Sequence, residues 1–118
     1  MNKPKTIICD IDGVLLRHNN KGLSGQVKKV RPLPGTLEKL NEWDAKGYNI
    51  ILITGRRESQ RKITEDILRN YAIFYDELIM GVGGGERVVI NDRKPNKHDD
   101  TARAINLNRN EGIKNVEL

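Results

Sequence analysis

The chain has 118 residues, the size of one domain, since domains usually run about 100–150 residues. Hydrophobic residues make up 36% and charged residues 31%, a balance typical of globular chains and not of disordered ones. A net charge of +5 points to an anionic partner, whether a phosphate ester or a nucleic acid. The single cysteine, Cys9, excludes an internal disulfide framework and a cysteine-based zinc site. No stretch approaches the roughly 20 apolar residues of a membrane span. The first apolar run, Ile7-Ile8-Cys9, is too short for a signal peptide and is cut by Asp10. The expectation is one cytoplasmic domain over residues 1–118 with no membrane partner.

In chain order, Thr6-Ile7-Ile8-Cys9 reads as a buried strand, short, β-branched and ended by Asp10. The stretch from Gly13 to Leu37 carries Arg17, Lys21, Lys28, Lys29 and Arg31 and no acid. It is too short for a folded cap and suits a basic flap or hairpin over whatever lies beyond Asp10. Pro34-Gly35-Thr36 opens a helix with Leu37, Leu40 and Trp43 at helical spacing and Gly47 past its end. Residues 48–53 form a second strand, stopped by Thr54-Gly55. A second helix covers residues 58–70, with Ile63, Ile67 and Tyr71 on its inner face.

Residues 76–80 make a third, weaker strand that ends in the glycine cluster 81–85. Residues 87–90 make a fourth, ending at Asn91-Asp92, and residues 104–107 a short fifth. Continuous apolar runs imply strands buried on both faces, as in a parallel sheet. Strand, helix, strand, helix, strand is the order of right-handed crossovers in an α/β fold.

Ligands of open α/β sheets bind beyond the carboxyl ends of the strands. Three expected strands end there in polar residues: Asp10 and Asp12, Thr54-Gly55-Arg56, and Asn91-Asp92. Two carboxylates two residues apart, with a third alongside, repel unless a cation neutralises them. Hard oxygen ligands of this kind suit Mg²⁺. An aspartate can attack phosphorus, and a second carboxylate can protonate the leaving oxygen and then deprotonate water. Thr54 and Arg56 can hold phosphoryl oxygens as charge redistributes.

These residues also carry a resemblance. Ile8-Cys9-Asp10-Ile11-Asp12-Gly13-Val14-Leu15 resembles the first motif of the haloacid dehalogenase-like (HAD) phosphatases, a hydrophobic run followed by DxDG. Ile51-Leu52-Ile53-Thr54-Gly55-Arg56 resembles their second motif, in a TGR form shared with polynucleotide 3′-phosphatase domains, and Val88-Val89-Ile90-Asn91-Asp92 resembles the fourth. The resemblance implies a Rossmann-like three-layer sandwich with a mostly parallel central sheet and no cap domain. It implies Asp10 as nucleophile, Asp12 as acid/base, and Mg²⁺ on Asp10, Asp12 and Asp92. Thr54, Gly55 and Arg56 become the expected substrate contacts.

Two departures stand out. Asn91 replaces the first of the usual paired acids, and no lysine occurs between Lys62 and Lys94 to serve the third motif. At roughly 3.3 Å per residue, an Arg87 that begins a strand sits about 13 Å from Asn91, at the wrong edge. Lys94, on the loop after Asp92, is the expected replacement as catalytic and substrate-binding lysine.

Cys9 reads as a core residue, and His18 and His98 as solvated. The glycine cluster lacks a P-loop ending and reads as a loop, and the aromatic residues read as packing. The leading expectation is a Mg²⁺-dependent phosphomonoesterase acting through an aspartyl-phosphate on a small phosphorylated metabolite such as a sugar phosphate. A homo-oligomer is expected, because capless enzymes of that family often cover the site with a neighbouring subunit. A polynucleotide 3′-phosphatase is the alternative, opposed by the lack of an aromatic stacking platform for nucleic acid. A degenerate, non-catalytic module of the same fold is the third.

Overall fold

The β-branched run after Lys5 forms strand β1 (Thr6–Asp10) in a computed structural model that describes residues 3–18, 30–96 and 98–118. Helix α1 (Thr36–Ala45) starts directly after Pro34-Gly35, and β2 (Asn49–Ile53) follows Gly47. A 3-10 turn, Glu58–Gln60, leads into α2 (Arg61–Asn70), and β3 (Glu77–Ile79) follows. The sheet order is β1-β2-β3, with both pairs parallel. Thr6 pairs with Asn49 and Asp10 with Ile53, while Ile53 also pairs with Ile79. The α/β class and the parallel sheet are therefore as expected.

Two right-handed crossovers that step in the same direction place both helices on one sheet face. Cys9, Ile50, Leu52 and Leu78 line that face, and Leu40 and Trp43 of α1 and Ile67 and Leu68 of α2 cover it. The opposite face carries Ile8, Ile51, Ile53 and Ile79, none of which joins the core cluster. Ile8 is 54% exposed and Ile79 44%. Among the described residues both helices thus cover the same face of the sheet.

The expected fourth and fifth strands are absent as well. Residues 80–96 and 98–118 contain no strand, and Val88, Val89, Ile90 and Ile105 are exposed. A strand exists only through its ladder, and the free edge of β1 carries no neighbour among the described residues. Residues 88–96 and 98–106 instead form an excursion, in which Asn91 and Arg93 bond to Thr101 and Asp100 on the returning side. It accompanies an elongated outline of 53 × 29 × 25 Å.

Helix α2 is rotated by one position from its expected face. Ile63 is 44% exposed, while Thr64 is buried with Ile67 and Leu68. Thr64 turns inward because its hydroxyl accepts a hydrogen bond from Arg56, 3.1 Å away.

The expected basic hairpin is visible at its base. Leu16 pairs antiparallel with Pro32, and the Arg17 N–H donates to the Arg31 carbonyl at 2.9 Å. Lys21, Lys28 and Lys29 lie outside the described residues.

The tail seals the start of α1. Ile113 is buried in the core, and the N–H groups of Ile113 and Lys114 both donate to the Pro34 carbonyl at 3.1 Å. Gly35 sits at φ 87°, and a Cβ there would lie 2.3 Å from the Lys114 Cα. Gly112, at φ 89°, would bring a Cβ within 2.6 Å of the Pro34 oxygen. Each glycine permits the close passage of the other's segment. Left-handed backbone costs a non-glycine residue about 1–2 kcal/mol, and displacing the tail adds to it. Gly35→Ala should therefore lose about 2–4 kcal/mol in chemical denaturation, and a loss under about 1 kcal/mol would show that the tail packs elsewhere.

Candidate active site

The site is built where β1 ends. Ile11, fully buried, pins the following loop: its carbonyl accepts the N–H groups of Leu15 and Leu16 at 2.9 and 3.0 Å. The Asp10 carboxylate accepts the Ile11 N–H at 3.0 Å. Asp10 is register partner to Ile53, so the chain leaving β2 delivers Thr54 to the same edge. The Thr54 N–H in turn donates to the Ile79 carbonyl at the end of β3.

Asp12, Thr54 and Arg56 meet. Arg56 donates from Nε to Asp12 Oδ2 at 3.0 Å and from Nη2 to Oδ1 at 2.7 Å, a two-pronged fork. The Thr54 hydroxyl donates to Asp12 Oδ2 at 3.3 Å and accepts the Arg56 N–H at 3.1 Å. The third contact of the guanidinium is Thr64 on α2. Only 7% of the Arg56 side chain is exposed, against 25% for Asp12. Arg56, expected to grip phosphoryl oxygens, is thus turned onto Asp12 and Thr64. Gly55 is exposed, and a Cβ there would press on the Val82 carbonyl at 3.1 Å.

Burial raises the Asp10 carboxyl above the ordinary aspartate range. The Ile11 hydrogen bond and the charges of Arg87 and His18 pull it down, and the Asp12 charge adds to the rise. Burial outweighs the opposing pulls. Nearby Cys9 is pushed up to about 12 by burial and by Asp10, the behaviour of a core thiol rather than a nucleophile.

Arg87 thus acts on Asp10 from a position the sequence argued against. That argument placed Arg87 at the start of a strand. The strand does not form here, because Gly81 and Val82 donate to the Arg56 and Thr54 carbonyls and hold the chain at the carboxyl edge. His18, expected to be solvated, is half-buried, and its Nδ1 is buried with no hydrogen-bond partner. Asn110 latches it through its amide oxygen to the His18 N–H at 2.7 Å, while its own N–H donates to the Gly13 carbonyl at 2.8 Å. Sequence reasoning missed Thr64 and Asn110, and no local pattern could have found them. Arg87 was findable from the short link between Ile79 and Val88.

Asp92 and Lys94 stand apart from this cluster. Both are exposed, with Lys94 Nζ 4.0 Å from Asp92 Oδ2. The Asn91 amide donates to Thr101 at 2.9 Å. Among the described residues no group of three His, Cys, Asp or Glu side chains is placed to hold a metal ion. One copy therefore does not gather the expected set of Asp10, Asp12 and Asp92, because the excursion carries Asp92 and Lys94 away. No helix among the described residues is long and apolar enough to cross a membrane.

Known proteins resemble this arrangement. One neighbour is a chain in a structure of the Pnkp1/Rnl/Hen1 complex, 31% identical with a TM-score of 0.58; the match covers 72% of this chain and 30% of that one. A structural-genomics target from Vibrio cholerae matches at 23% identity and TM-score 0.54, over 74% of this chain and 79% of that one. The D,D-heptose 1,7-bisphosphate phosphatase of B. bronchiseptica, solved with magnesium and phosphate, matches at 20% identity and TM-score 0.53, over 68% and 51%. The chain thus spans less than a third of the first neighbour's length. Comparison with curated proteins gives no match. The family model described as PITM 1-3, LNS2 domain matches residues 7–100, most of the sequence. The chain belongs to this LNS2 domain family, whose fold is that of the HAD-like phosphatases.

Proposed function

We propose that the chain is a phosphomonoesterase that works through an aspartyl-phosphate on Asp10, with a small phosphorylated metabolite as substrate. The observation that carries this reading is the Asp10 carboxylate at the end of β1, partly desolvated, with Arg87 and His18 acting on it and Asp12 two residues on. Partial burial strips water from a nucleophile, and the Arg87 charge favours an approaching phosphate. An Asp10 oxygen attacks phosphorus, the ester P–O bond breaks, and its electron pair stays on the leaving oxygen. A protonated Asp12 supplies the proton to that oxygen while its other oxygen keeps a hydrogen bond from Arg56. Asp12 then takes a proton from water, which attacks phosphorus, releases phosphate and restores Asp10. Thr54 and Arg87 are the proposed phosphoryl contacts, and Arg56 is a positioning residue for Asp12. Lys94 serves the same centre only if the excursion brings it there.

Mg²⁺ belongs to this reading as the ion that Asp10, the Asp12 carbonyl and Asp92 would hold. Because one copy does not gather those residues, no step above runs through the ion.

A polynucleotide 3′-phosphate is the second reading, supported by the 31% identity to a chain of the Pnkp1/Rnl/Hen1 complex and by the charge of +5. Activity on a 3′-phosphorylated oligonucleotide that falls steeply with salt favours it; salt-insensitive activity on hexose phosphates favours the metabolite.

Wild type should release phosphate from a panel of phosphoesters, and Asp10→Asn should lose at least about 10³-fold. Absence of release across the panel would favour a non-catalytic module. Ionised Asp10 is the attacking form, so the acid limb of kcat/KM should lie at higher pH than for an ordinary aspartate. The folded carboxyl titrates above its unfolded value of 3.8, so its contribution to stability is lost as pH rises through the folded value. Asp10→Asn should therefore melt higher than wild type at neutral pH, with the gap closing at about pH 4 and below. Equal melting at neutral pH would contradict the burial of Asp10.

Arg56→Ala should cost about 2–3 kcal/mol, less than for a fully buried pair because Asp12 keeps partial exposure. Arg56→Lys keeps the charge and loses the fork. It should recover stability in denaturation while kcat stays about 10–100-fold down with KM little changed. Recovery of kcat along with stability would reduce Arg56 to a structural role.

A further inference from the structure

The free edge of β1, the apolar sheet face beside it and the excursion of residues 88–106 fit one another, but not within a single copy. To complete the acidic cluster, Val88-Val89-Ile90 must run parallel to β1, so that Asp92 arrives beside Asp10. Val88 then lies at the amino end of β1, near Thr6, and Ile90 lies beside Ile8 on the uncovered face. Those two are the most exposed isoleucines of their segments, Ile8 at 54% and Ile90 at 94%.

The chain cannot reach that position on its own sheet. Val82 is fixed to the Thr54 carbonyl at the carboxyl edge of β2. From there the chain must cross β1 and descend its length, a path of about 25 Å at about 4.8 Å per strand and about 3.3 Å per residue. The six steps from Val82 to Val88 span at most about 21 Å when fully stretched. Parallel crossovers normally take a dozen or more residues. Moreover, Arg87 is still at the carboxyl edge, where its charge acts on Asp10. Val88-Val89-Ile90 therefore stays off the edge of its own β1.

A second copy related by a two-fold axis removes the obstacle. Its β1 offers the same free edge, and a segment arriving from the other chain is not limited by the short link after Ile79. The exchange is reciprocal, which satisfies an isologous interface, and both apolar faces and both free edges are covered at once. We propose that two copies exchange residues 88–106, each adding a parallel strand to the edge of its partner's β1 and placing Asp92 beside the partner's Asp10. The acidic cluster that one copy lacks is then completed in trans, Asp10 and Asp12 from one chain and Asp92 from the other. The inference rests on the proposed function only for the consequence that activity requires the exchange.

Three measurements on the full chain test it. By light scattering, wild type should have twice the monomer mass of 13.4 kDa. In a Cys9→Ser background, Ile8→Cys protein mixed during refolding with Ile90→Cys protein should give a covalent dimer with a short bismaleimide, and neither protein alone should. Asp10→Asn and Asp92→Asn, each inactive alone, should recover about a quarter of wild-type activity when co-refolded, since half the dimers are mixed and each holds one whole site of two. A monomeric mass, or a doubled mass without the 8–90 cross-link, overturns the exchange. The cross-linked dimer with an inactive wild type upholds the exchange and overturns only the phosphatase reading. The cross-link with an active wild type but no recovery overturns donation of Asp92 in trans.

Discussion

The fork from Arg56 to Asp12 is the contact on which the rest of the site depends. A guanidinium almost fully removed from water must find acceptors, and here they come from three separate segments: the loop after β1, the turn after β2 and the middle of α2. That requirement sets the rotation of α2, turning Thr64 inward and Ile63 outward, and it fixes the carboxylate that follows the nucleophile. Thr54 completes the tie, since its hydroxyl donates to Asp12 and accepts the Arg56 backbone N–H. The electrostatics of the centre and the packing of the helical layer are therefore one arrangement, and a change at Arg56 is felt in both.

Elements with strong local signals were legible in the sequence. The β-branched run before Asp10, the helix opened by Pro34-Gly35 and the apolar run before Thr54 all have their expected places. So does the convergence of Asp10, Asp12 and Thr54 at one edge, because parallel crossovers leave no other geometry. What was not legible depends on partners distant in sequence. The residue that anchors the Asp12 carboxylate was read as a substrate contact, since a TGR motif does not say which way a guanidinium turns. Asn110 joins the loop after β1 across 92 residues, beyond the reach of any periodic pattern.

The segment Val88-Val89-Ile90 shows a different limit. Its composition is that of a buried strand, yet Val88, Val89 and Ile90 are exposed and form none. What composition does not report is whether the connection is long enough to bring the strand home. Arg87 shows the same error from the other side: it was rejected because it belonged to a strand, and it acts on Asp10 because that strand is not there. Connection length, easily counted, outranks apolar pattern when the two disagree.

A chain of this size buries a smaller share of its surface than a larger one, and here, among the described residues, Ile8 and Ile79 on one sheet face are exposed. Ile8, Ile79, Val88, Val89 and Ile90 are more apolar surface than scattered exposure explains, and they are confined to the open edge, the open face and the excursion. The tail is committed to the start of α1, through Ile113 and the Gly35–Gly112 crossing. Shortening the link after β3 thus has two effects from one cause. It keeps Arg87 near the nucleophile, and it holds Val88-Val89-Ile90 off the edge of its own β1. Under that constraint the described residues of one copy do not complete the acidic centre, and the exchange proposed above is the association that would complete it.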